Sequence, residues 1–162
     1  MSIRKIATFV ATHGFAVVIG FAAGIYALPI IIAPESPSVG AVSALADTSE
    51  YTAEFRRDLK GSDALHWGEG QLFVGRNSVS LMGRLAPGPD YKLYLSPAFV
   101  ETEEEFAQHK SSMVVVGNVK TFENFIIDMP PGVEPADYTT AIVWCETFGE
   151  FITAAQYRVD GG

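Results

Sequence analysis

The sequence predicts an all-β domain, an antiparallel β-sandwich or barrel-like fold with one or two short helices, preceded by an N-terminal transmembrane helix. Three observations lead there. Residues 6–33 are uncharged and almost wholly apolar. From residue 62 onward, short runs rich in Val, Ile, Thr, Tyr and Phe alternate with Gly, Pro and Asn. The links between those runs are too short for crossover helices, which leaves antiparallel pairing.

The first element is the anchor. Arg4 and Lys5 are the only charges before Glu35. About 20 apolar residues cross the hydrocarbon layer of a bilayer, and residues 6–33 exceed that. A secretory signal has a shorter apolar core of about 7–15 residues. Ala44-Leu45-Ala46 resembles a cleavage site but lies well past the apolar run. The expectation is an uncleaved anchor with residues 1–5 as a cytoplasmic tail. The positive-inside rule then puts the domain in the periplasm or outside the cell. Ala16, Gly20 and Gly24 recur every four residues, a spacing through which two such helices could pair, although small residues are common in membrane helices anyway. His13 reads as a side chain snorkelling toward the interface rather than as a proton or metal site.

Residues 34–60 are rich in Pro, Ser and Ala at first and read as a stalk. Asp47, Thr48 and Ser49 offer caps for a short helix over 50–60, which Gly61 would end. The β domain is expected over 61–159, with strands near 71–75, 78–84, 91–96, 113–116, 122–127, 139–146 and 151–159. Arg76-Asn77, residues 86–90, Gly117-Asn118 and Phe148-Gly149 carry turn chemistry. One helix is expected inside the domain, over 101–110, with acids early and His109 and Lys110 late, as the helix dipole favours.

Charge narrows the function. Outside Arg4 and Lys5, nine basic residues face nineteen acidic ones, a net charge of −10. That excludes nucleic acid, whose phosphates need Lys/Arg stripes, and adhesion to an anionic lipid surface. Paired-cysteine metal motifs, phosphate loops, nucleophile elbows and helical His-Glu zinc pairs are absent. The acidic group Glu101, Glu103, Glu104 and Glu105 lacks the Asp/Asn alternation of a calcium loop and reads as a solvated face, so no metal site is expected. Cys145 is the sole cysteine. It rules out an internal disulfide and is either a small buried hydrophobe or a functional thiol. By alternation it shares a strand face with Ala141 and Val143, and Trp144 shares the other with Ile142; periodicity does not say which face meets the core.

Two segments together resemble the DM13 family, a small extracytoplasmic β domain also found beside DOMON domains in animal cell-surface proteins. The first runs from Gly88-Pro89-Asp90-Tyr91 through Tyr94-Leu95-Ser96. The second is Ala141-Ile142-Val143-Trp144-Cys145 followed by Phe148, Phe151 and Ala154-Ala155. Gly68 and Gly70 fit the family's opening less specifically. The resemblance spans roughly residues 60–158, with 98–112 as an insertion. It implies an electron-transfer module in which Cys145 acts as a bare thiol or ligates a group such as haem. The missing companion domain implies a separate electron-transfer partner protein.

A reactive thiol needs a lowered pKa. Glu146 and Glu150 lie nearby in sequence, so Arg84 or Arg158 would have to come from the fold. As a haem ligand, Cys145 would need a second axial group, with His66 and Met113 the leading candidates and His109 and Met82 behind them. The alternative is a non-catalytic module that binds an envelope protein or ligand through exposed Trp67, Tyr91, Tyr94 and Trp144. A third reading makes the anchor the working part, pairing through Gly20 and Gly24. A reachable Cys145 favours the redox reading and a sealed one favours the others.

Overall fold

The computed structural model describes residues 2–159. The uncharged N-terminal run forms one helix, α1 (Ile3–Ile32), long and apolar enough to cross a membrane. Three of its polar side chains bond carbonyls of the helix itself. Thr8 donates to Arg4, Thr12 to Thr8, and His13 Nδ1 lies 2.8 Å from the Phe9 carbonyl. That is the arrangement an apolar surrounding demands, because lipid supplies no partners.

Two corrections to the sequence reading follow α1. The helix before the domain is α2 (Val39–Ala46), capped by the Ser38 hydroxyl, which accepts from Ala41 N at 3.2 Å. It packs on the first sheet through fully buried Val42. The helix expected over 50–60 does not form; its first half is strand β1 (Tyr51–Phe55). The reason is a period of two: Tyr51, Ala53 and Phe55 turn to the core, while Thr52 and Glu54 face outward.

The remaining strands are β2 (Gly68–Val74), β3 (Ser78–Leu85), β4 (Tyr91–Ser96), β5 (Val114–Val119), β6 (Phe125–Asp128), β7 (Thr140–Cys145) and β8 (Glu150–Gln156). They form two antiparallel four-stranded sheets, β1-β2-β3-β6 and β5-β4-β7-β8. Of the two forms that the short links left open, a sandwich or a barrel-like fold, the two-sheet sandwich is the one the chain adopts. One expected turn is not a turn: β5 runs through Gly117 and Asn118 to Val119. A side chain at Gly117 would come within 2.7 Å of Ile127 Cγ2 on β6, so glycine serves a close approach there. The actual link to β6 is closed by Thr121, whose hydroxyl donates to the Asn124 carbonyl at 2.8 Å.

Between the sheets lies the main core, including Leu72, Leu81, Leu93, Val143 and Ile152. A second apolar layer lies on the far face of the β7 sheet, where α3 (Glu103–His109) buries Phe106 against Trp144, Tyr94, Ile142 and Phe151. Helix α3 is held by a reciprocal cap. Thr102 Oγ1 accepts from Glu105 N, and the Glu105 carboxylate accepts from Glu101 N at 2.9 Å. The acidic group of the sequence thus has structural work. Glu101 pairs with Lys60 at 2.6 Å, and Glu103 accepts from Phe151 N at 3.1 Å.

Candidate functional site

Cys145 sits at the end of β7, between Tyr91 of β4 and Glu150 of β8. The question of which β7 face is buried has a double answer. Ala141, Val143 and Cys145 face the main core, and Ile142 and Trp144 face the α3 layer. A strand flanked on both edges and covered on both faces is predominantly apolar; all six residues of β7 are buried, and Thr140 is the one polar residue among them.

The thiol is 3 % exposed as a residue average and donates to the Pro89 carbonyl at 3.1 Å. Burial pushes its pKa up; the N–H groups of Phe148 and Thr147 oppose this, and the charges of Asp90 and Glu150 add to it. Neither expected arginine serves it: Arg84 pairs with Glu69, and Arg158 donates to the Tyr138 carbonyl. The folded state holds the thiol proton more tightly than the unfolded chain does. Its contribution to stability is complete below the unfolded thiol pKa and is lost as pH rises through the folded one.

Cys145 borders a cavity of about 220 Å³ whose walls include His66, Tyr91, Pro89 and Phe148, with Ile25 and Tyr26 of α1 on one side. His66, distant in the chain, thereby lines the same cavity as Cys145. It is oriented by Asp63, whose Oδ2 lies 3.1 Å from His66 Nδ1 and whose Oδ1 accepts from the backbone N–H groups of Leu65 and His66 at 2.7 Å each. Those bonds, that from Leu65 first, hold the Asp63 carboxyl below its usual range. A neutral ring that donates Nδ1–H to Asp63 would carry its lone pair on Nε2.

The other sequence candidates lie elsewhere. Met113 packs against the α3 layer with Phe106 and Trp144, on the opposite face of the sheet from the thiol. Met82 is on β3 and His109 ends α3, and neither borders this cavity. The aromatics proposed as a contact surface are mostly core. Tyr91, Tyr94 and Trp144 are buried, and Trp67 lies under the Arg57 guanidinium at 3.3 Å. Tyr94 O–H donates to the Glu146 carboxylate, which Lys110 approaches at 3.5 Å, so the outer polar group is internally paired.

Haem does not fit these residues. Pockets for sizeable ligands run from about 300 to 1,000 Å³, above the cavity at Cys145. A larger cavity of about 400 Å³ lies between the end of α1 and Tyr91, but neither Cys145 nor His66 lines it. The roomier space lacks the donors, and the donors lack the space.

The family described as Electron transfer DM13 has a model that matches residues 55–157, well over half of the chain. No curated protein and no solved structure matches the chain.

Proposed function

Because the chain belongs to the DM13 electron-transfer family, we propose that it is a membrane-tethered, extracytoplasmic redox module in which Cys145 is the reacting group, used as a bare thiol. The observation that carries the reading is the shared cavity of Cys145 and His66, with His66 oriented by Asp63. Helix α1, with Arg4 and Lys5 at its start, supports the tether and the outward orientation.

Thiol oxidation proceeds through the thiolate, and this thiol is held protonated. A base must therefore take the proton as sulfur reacts, and His66 Nε2 is the group in the cavity suited to do so. Asp63 keeps the ring in the tautomer that leaves Nε2 open. The thiolate then attacks a disulfide of an oxidised partner: a mixed S–S bond forms, the partner's own S–S bond breaks, and the released sulfur leaves as a thiolate that takes up the proton held by His66. A separate electron-transfer protein fills that role in this reading.

The test is reaction of the full-length chain with dithiodipyridine, followed by release of the coloured thione. One equivalent is expected from the wild type and none from Cys145→Ser. His66→Ala should slow the reaction at neutral pH by about 100-fold or more, the scale of a positioned general base. It should also shift the rate profile toward alkaline pH. An unchanged rate and profile in His66→Ala would remove the base from the account.

A further inference from the structure

The part of α1 that the domain leaves bare has the length of a bilayer. Every residue from Ser2 to Gly24 is exposed, and shielding begins at Ile25. Counted from Lys5, about 20 apolar residues, or roughly 30 Å of helix, bring the chain to Ile25 and Tyr26. At that level helix and domain meet: Ile25 and Tyr26 wall the Cys145 cavity together with Leu65 and Phe148. Leu65 is 58 % exposed and Phe148 53 %, and they are two of the few large apolar side chains left exposed outside α1. Tyr26 stands where interfacial aromatics gather.

We infer that Leu65 and Phe148 are seated in the outer headgroup layer of the membrane that α1 crosses, so that the Cys145 cavity opens at the lipid surface rather than into bulk water. The inference rests on α1 being a membrane span. The net charge of −10 beyond the anchor gives no attraction to anionic lipid. The contact is therefore apolar, and the helix rather than charge holds it in place. Whatever oxidises the thiol reaches it along the membrane plane.

Spin labels on the full chain in phosphatidylcholine vesicles test this. Leu65→Cys and Phe148→Cys probe the rim, Val18→Cys the span, and Phe99→Cys, an exposed position before α3, the water phase. The parent chain, carrying Cys145 alone, sets the background, and an unchanged thermal transition confirms that each labelled chain is folded. Collision with dissolved oxygen and with a water-soluble nickel chelate is read by power saturation. Labels at 65 and 148 should collide with nickel several-fold less than the label at 99, while the label at 18 is the most protected. If 18 is protected but 65 and 148 match 99, the rim is in water; the inference falls and the anchor stands. If 18 is as open to nickel as 99, the span and the inference fall together.

Discussion

Phe106→Ala is expected to destabilise the domain by about 3–5 kcal/mol, the range for deleting a fully buried phenylalanine. The Phe106 ring stacks on Trp144 with centroids 3.7 Å apart and planes 4° from parallel, and it meets the Tyr94 ring edge-on at 5.2 Å. It is the only buried residue of α3. Its loss leaves a cavity and removes the apolar contact that seats the helix, so the cap at Thr102 cannot compensate. Urea unfolding followed by tryptophan fluorescence checks this. A fall in Tm of roughly 10–20 °C should accompany it in a domain of this size. A cost under about 1 kcal/mol would show that the α3 layer is peripheral to the fold.

Gly70→Ala should be of comparable weight, about 3 kcal/mol or more, and for a different reason. Gly70 has φ +124° and pairs across the ladder with Gly83. A β-carbon there would fall 2.4 Å from the Met82 carbonyl oxygen and 2.5 Å from Gly83 Cα. Those are backbone atoms, so no rotamer change relieves the clash, and β2 would have to part from β3. Thermal unfolding of the purified variant is the measurement. Retention of the wild-type transition would mean that the strand pair deforms more readily than its geometry implies.

How far the sequence could be read depends on whether its signals were local. The strands from β2 to β8 announce themselves through β-branched and aromatic runs bounded by turn residues, and Tyr91–Ser96 has the bounds expected from sequence. The strand β1 was hidden because Asp47, Thr48 and Ser49 look like caps, and the charges at 54–60 suit an exposed helix. Pairing with the edge of β2 overrode that local preference. Helix α2 gave the opposite problem. Val39, Gly40 and Ser43 are poor helix formers, and the Ser38 cap was the clearest signal for it.

The site was half legible. Cys145 stood out as the sole cysteine inside a family-like strand. The unbroken apolar run from Ala141 to Cys145 already held the mark of a strand covered on both faces. The spacing Asp63-x-x-His66 was visible as well, but not the cavity it shares with Cys145, which forms only when distant segments of the chain are assembled. Met113 was chosen for its coordinating chemistry alone. Its apolar stem was enough to place it in the α3 layer instead, as thioethers commonly are.

The most direct test of the account is the redox equilibrium of Cys145 in the full-length chain in vesicles. The chain is poised in glutathione buffers of graded potential, quenched with acid, and its thiol state read by mass. The account expects reversible oxidation of Cys145 in the folded protein, with the same midpoint approached from either side and no modification in Cys145→Ser. A thiol that stays reduced in every buffer while the chain is folded, and oxidises only after denaturation, would contradict it and leave Cys145 as a packing residue of β7.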